Sequence, residues 1–389
     1  MAEVSVFLVV FLLIKYTWWL FLPLVLYSIF RPIWNAYAVN VIYFGEEINL
    51  TLLEIKIPKD LIANPKLMEN VFATLMGAGR TITEYQKITF GRFQDFFSFE
   101  IVSLEGEIRF FVLTPGRAVR LVEKAFYGQF PNVEIRETKD DYFNHLPATI
   151  PDEQWTMWGA KMILDRDGCQ PINTYPQMED KLEGEMIDPL AVIFETMGTL
   201  GSGENLIYQV QVGLSDGSWR KKGDEAIQKI LDKYNLSASS SYEEGNFMKI
   251  LPFHELELLK AIHYKMAKPA YDTQILFAYI ARKEVFNGIV SSAISGAMKM
   301  FDSSFNAFMT DKYYTSTANY FLGKSRKEFR TRRLFKLLQD RDMQGTANPF
   351  NIEELATLYH FPSPTVKVPS IPHIDSKRAP APSNLPLGG

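Results

Sequence analysis

Cysteine is almost absent, with one residue, Cys169, in 389. That excludes an intramolecular disulfide and any zinc cluster built on cysteines. Histidine is scarce too: the five, at 145, 254, 263, 360 and 373, show no H-E-x-x-H spacing. His254 and His263 stand nine apart and do not share a helical face squarely, so no metal site is expected. An excess of positive charge is also missing, since the net charge is -4, and the chain as a whole carries no signature of nucleic-acid binding. A phosphate loop is lacking as well. Gly323-Lys324-Ser325 copies the end of G-x-x-x-x-G-K-[ST], but Ala318 occupies the place of the first glycine and no apolar strand leads into it. The acidic pairs Asp140-Asp141, Glu179-Asp180 and Glu243-Glu244 point their side chains apart and read as solvated surface. Cys169 sits in a turn-like loop, Asp165 to Pro171, as a free thiol. No catalytic residue, cofactor or metal is therefore expected, and the chain reads as no enzyme.

What the chain does have begins at its N-terminus. Residues 4–31 form a long apolar run broken by Lys15 and closed by Arg31 and Pro32. About 20 apolar residues rising ~1.5 Å each cross a ~30 Å hydrocarbon core, so the run is predicted to be one transmembrane helix, kinked at Pro23. A signal peptide cleaved after Ala36-Tyr37-Ala38 fits less well, because the positive n-region is missing and the run outlasts an h-region. Arg31, Lys56 and Lys59 follow the run and Glu3 precedes it, which favours a single-pass protein with its C-terminal body in the cytoplasm.

Beyond the run, strands and helices alternate. Residues 36–150 read as a first module: a strand over Ile48 to Ile57, a helix from Pro65 to Met76, a hairpin around Glu105-Gly106, a helix after Pro115 and a strand over Val133 to Glu137. This β-α-β-β-α-β order is the ferredoxin-like split βαβ motif. Residues 151–322 repeat the logic with insertions. Strands are predicted over Trp155 to Leu164, Leu206 to Leu214 and Thr273 to Ala281, with helices at Pro189 to Leu200, Gly223 to Tyr234, His254 to Met266 and Phe286 to Phe301 and a serine-rich loop at Ser237 to Ser241. The expected fold class is α+β, with a transmembrane helix followed by two tandem ferredoxin-like modules and an extended Pro-rich tail.

Residues 323–345 change character, with Lys324, Arg326, Lys327, Arg330, Arg332, Arg333 and Lys336 crowding one short helical segment that runs on to Arg341. Such a run is ordinarily a solvated helix face; its sharper reading is contact with phosphates of DNA or anionic lipid. Phe329 and Phe335 are the only interleaved aromatics, which does not specifically indicate stacking on a single strand. Residues 346–389 combine a short apolar segment with a tail carrying Pro at 362, 364, 369, 372, 380, 382 and 386, a composition expected to be extended.

Phe130-Pro-Asn-Val-Glu-Ile135 with Asp141-Tyr142, Tyr175-Pro-Gln-Met-Glu-Asp180, and Glu353-Glu-Leu-Ala-Thr-Leu-Tyr-His-Phe-Pro362 with Ser376-Lys377 and Asn384-Leu-Pro386 form one arrangement. It resembles the membrane-anchored N-terminal region ahead of HerA/FtsK-like DNA-translocating ATPases of bacterial conjugation and type IV secretion, of the coupling-protein kind. In that family the Asn-Leu-Pro segment leads into a RecA-like motor, and here the chain stops at Gly389. The resemblance implies a scaffold or docking module in the bacterial cytoplasmic membrane. Its expected partners are membrane lipid, a RecA-like HerA-type ATPase on a separate or missing motor domain, DNA, and further copies of itself. Leu355, Leu358, Tyr359 and Phe361 are the expected partner-docking residues, although the same apolar side chains would also cap the chain's own core. The alternative is a membrane-tethered nucleic-acid-binding module that uses the basic segment 324–341.

Overall fold

A computed structural model describes residues 2–38, 49–58, 61, 63–80, 82–91, 95–178, 188–215, 217–234, 251–317, 323–343, 347–363 and 371–372. The loop at Ser237 to Ser241 and the proline-rich stretch beyond Pro372 lie outside these residues.

The chain divides into two compact units. One comprises residues 1–49 and 80–94. It holds helix α1, Ala2–Tyr37, and a short helix further along, Glu84–Phe90. Trp34 donates its indole N–H to the carbonyl of Ile88 at 2.7 Å, tying the two together. A Thr83/Gln86 capping box starts the short helix and Gly91, at φ 62°, ends it.

The expected transmembrane helix is not found: among the described residues, no helix is long and apolar enough to cross a membrane. Lys15 and Arg31 leave 15 uncharged residues between them, about 22 Å of helix, and Pro23 and Pro32 both fall inside α1.

The other unit, residues 50–79 and 95–389, is built on nine strands joined in one antiparallel sheet. In chain order they are β1 (Leu50–Lys56), β2 (Phe96–Leu104), β3 (Glu107–Pro115), β4 (Glu134–Thr138), β5 (Trp155–Leu164), β6 (Glu204–Leu214), β7 (Ala270–Arg282), β8 (Phe308–Thr315) and β9 (Asn348–Asn351). Across the sheet they run β4-β1-β3-β2-β6-β7-β5-β8, and β9 pairs with the start of β7. The expectation of two separate ferredoxin-like modules is thereby corrected, because β2 and β6 pair from Phe96–Gly213 to Leu104–Asn205 and fuse the halves into one sheet. The α+β class stands.

Local chemistry sets the turns. Glu105 and Gly106 both have positive φ, 51° and 92°, as the tight β2–β3 hairpin requires. The Glu105 carboxylate is held by the backbone N–H of Gly203 at 2.8 Å, and a Cβ on Gly106 would lie 2.5 Å from the Leu200 carbonyl oxygen.

Alternation then assigns the two sheet faces. Phe97, Phe99 and Ile101 of β2, Tyr208 and Val210 of β6, and Ile275, Phe277 and Tyr279 of β7 line the apolar core. Helix α2 (Pro65–Leu75) buries Met68, Val71, Phe72 and Leu75, while Asn64 caps it by accepting from the Lys66 N–H. A second helix, Val119–Gln129, buries Val122, Ala125 and Phe126. The other face is mixed: Glu100, Gln209, Gln211, Gln274 and Lys161 are buried there alongside Val102, Phe111, Leu276 and Ile280.

Candidate functional site

The mixed sheet face is covered by a helix of 18 residues, here the basic helix, Gly323–Asp340. Its sequence holds no proline and no internal glycine, and Thr331, Leu334, Phe335 and Leu338 recur at helical spacing to form its buried side. Gly159 of β5 lets the helix approach, since a Cβ there would stand 2.7 Å from Leu334 Cδ2.

The opposite side of this helix carries four of the predicted phosphate contacts, Arg326, Arg332, Arg333 and Lys336, while Lys324 and Lys327 stand in its first turns at the azimuth of the buried side. Lys324, Arg326, Lys327, Arg332, Arg333 and Lys336 are exposed and Arg330 is half-buried. Seven cations face two acidic residues, Glu328 and Asp340, along the helix. Two of the arginines are pinned to neighbouring chain: Arg330 donates to the Thr317 carbonyl at 2.7 Å. Arg333 donates to the Tyr314 hydroxyl at 2.7 Å, with its guanidinium 4.3 Å from the centre of that ring. The run's last cation, Arg341, does not belong to the patch. It is buried, donates to both carboxylate oxygens of Glu100 at 2.7 and 3.1 Å, and binds Asp141 at 2.6 Å.

Beneath the helix a hydrogen-bonded ladder crosses the sheet. The Gln209 amide donates to the Tyr142 hydroxyl at 2.9 Å and to the Leu338 carbonyl at 3.2 Å. Gln211 donates to Gln209 at 3.1 Å, Gln274 to Gln211 at 3.0 Å, and the Lys161 ammonium to Gln274 at 2.6 Å. Burial pulls the Lys161 pKa down to about 8, against the opposing pull of Asp311. The ladder thus runs from Tyr142 through β6 and β7 to Lys161 on β5, beside the bulged edge strand β8, where register shifts from Met162–Thr310 to Ala160–Thr315.

The expected docking residues go elsewhere. Leu355, Leu358, Tyr359 and Phe361 are fully buried, following or lying on a short helix, Ile352–Leu358, threaded into the apolar core. Phe361 sits 5.1 Å from both Phe110 and Phe130, and Tyr359 5.1 Å from Phe99, ring centre to ring centre. The docking assignment is corrected, because side chains enclosed by their own core offer a partner no surface. Around this helix Glu353 bonds Lys268, Tyr264 and Thr174, and Lys268 also holds Glu69 at 2.9 Å. Burial opposes ionisation of Glu69, but Lys268, Tyr175 and Lys66 outweigh it and hold its pKa below the usual value.

No group of three or more His, Cys, Asp or Glu side chains able to hold a metal occurs among the described residues. His145 is exposed on Asp140, and His360 lies buried between the Ala356 carbonyl and Asp188. Cys169 is a buried thiol whose pKa is raised by burial.

No family model and no curated protein matches the chain. Among solved structures, a single-site variant of berberine bridge enzyme, a reticuline dehydrogenase, shares 9% identity over 66% of this chain and 42% of its own, with a TM-score of 0.21. A neighbour this remote carries no argument for or against enzymatic activity in this chain.

Sequence reasoning missed the polar ladder and the aromatic residues of β8. The signal for the first was present: Tyr208-Gln-Val-Gln-Val212 alternates glutamine with core residues, so one face of this strand had to be lined by amides.

Proposed function

We propose that this chain engages the phosphate backbone of nucleic acid through the outer side of the basic helix, in a DNA-transfer apparatus driven by a HerA-type ATPase. One observation carries the reading: a chain of net charge -4 gathers seven cations on one helix and exposes six of them while burying the helix's apolar side. The ATPase partner rests on the resemblance of the Phe130, Tyr175 and Glu353 segments to the HerA/FtsK-associated family. The sheet beneath supports the reading by holding the helix rigidly, so that cations are placed rather than left on a mobile arm.

Fluorescence anisotropy with a labelled oligonucleotide, titrated over a salt series, tests it. Affinity is expected to fall linearly with the logarithm of salt concentration, at about 0.7 to 0.9 per phosphate neutralised. Replacing Arg326, Arg332 and Lys336 by glutamate is expected to flatten that slope by roughly two to three units. Equal binding by the reversed and the unaltered chain, or none by either, would refute the proposal.

The exposed apolar side chains of α1 favour lipid as a second partner. Trp19, Phe21, Leu24, Leu26, Phe30 and Ile33 are all more than half exposed. Burying such a surface against acyl chains would contribute about 25 cal/mol per Å². Flotation with phosphatidylcholine vesicles is expected to carry the chain upward, and L24Q/F30Q to release it.

A further inference from the structure

We infer that the nucleic acid taken by the basic helix is single-stranded, its bases stacking on Phe329 and Tyr313. The inference rests on the phosphate-binding reading above and deepens it.

Phe329 is 67% exposed. Successive helical residues turn by ~100°, which sets Phe329 within about 20–60° of Lys336, Arg333, Arg326 and Arg332 around the axis. A large apolar ring therefore occupies the centre of the cationic side, where a solvated helix face would carry a polar residue. Phe335, the other aromatic of the segment, is 2% exposed and belongs to the buried side.

A second ring comes from the edge strand. Five steps of β8, Thr310 to Thr315, stand opposite two steps of β5, Ala160 to Met162. The bulge is held at three points: Asp311 is buried and accepts from the Tyr313 N–H at 2.7 Å. Lys161 lies 5.2 Å from the Tyr314 ring, and Arg333 stacks on that ring from the helix. Tyr313, one residue from this anchor, is 73% exposed.

Cations that hold a backbone together with open aromatic faces are what a sequence-tolerant single-strand site needs, because every base has a π-face to stack. A duplex keeps its bases stacked on one another and offers the rings nothing beyond phosphate and groove edge. The two components separate experimentally: charge sets the salt slope, stacking sets the difference between single strand and duplex.

The test compares a labelled 20-nucleotide oligothymidine with a 20-base-pair duplex on the full chain. We expect the single strand to bind more tightly. F329A and Y313A are each expected to weaken single-strand binding about tenfold, the worth of roughly one base stack, with the salt slope and duplex binding unchanged. F329W should retain binding, and thermal unfolding should be unaltered because the side chain is exposed. Single-strand binding by F329A and Y313A equal to that of the unaltered chain, or a preference for duplex, overturns the stacking inference alone. Oligonucleotide binding that survives the Arg326, Arg332 and Lys336 reversals overturns the phosphate reading itself. Capture by phosphatidylserine vesicles with no oligonucleotide binding overturns both and assigns the patch to lipid.

Discussion

Arg341 is the cation of the basic run that never reaches solvent. It is enclosed by Glu100 and Asp141 and lies 5.3 and 5.2 Å from the rings of Tyr142 and Phe143. Removing one member of a buried ion pair strands the other, so R341M is expected to cost about 3–5 kcal/mol in urea denaturation. R341M combined with E100Q should recover part of that loss, since the stranded charge is gone. Lys161 gives a pH dependence whose sign can be worked out. Its pKa in the folded chain, about 8, lies below the ordinary lysine value of 10.5 because burial disfavours the ammonium. The unfolded chain therefore binds more protons between those values, and stability rises with pH across that window. The destabilisation is fully present below about pH 8 and relieved by about 10.5. K161M should abolish that part of the slope, measured as midpoint against pH. Neither residue's role was legible in the sequence. Arg341 looks like one more member of a basic run, and only the fold brings Glu100, 241 positions away, to its side.

At the scale of elements, caps and close approaches decide more than propensity. Asn351 and Glu354 form a capping box: the Asn351 side chain accepts from the Glu354 N–H at 2.9 Å, and Glu354 accepts from the Asn351 N–H at 3.0 Å. N351A is expected to cost about 1–2 kcal/mol, read as a lowered unfolding midpoint. G159V should be worse, because the branched side chain would displace Leu334 and lift the basic helix; near-UV circular dichroism and oligonucleotide affinity should change together. Strong period signals made most elements readable beforehand: the strand expected over Trp155 to Leu164 spans those residues, and the helix expected from Pro65 ends one residue short of Met76. Weak ones were lost. β8 is bulged and half-exposed, and β9 has four residues with a proline among them, so neither shows strand alternation. The basic helix was legible as a helix and as a charge cluster. The exposure of Tyr313 beside the β8 bulge was not, because the pairing of β8 is a property of the sheet.

For the whole molecule, the pairing of β2 with β6 has the largest consequence. Two modules in tandem would melt separately, whereas one sheet sharing a core from Leu53 to Ile371 is expected to unfold in a single calorimetric transition. Two resolved peaks from residues 50–363 would contradict this. Local pattern could suggest the repeat of strand and helix orders, but the seam joins Phe96–Leu104 to residues about 100 positions later and leaves no trace in either segment alone. The segment that completes the core also comes late. Phe361 fills the space between Phe110, Phe126 and Phe130, and Tyr208 donates its hydroxyl proton to the Leu358 carbonyl at 2.7 Å. On the ribosome, the rings that receive Phe361 are synthesised roughly 230 residues ahead of it, on the order of 10–50 s at ~5–20 residues per second. For that interval the nascent chain must carry an unfilled aromatic socket, which makes it a client for chaperones until its last clasp emerges from the exit tunnel.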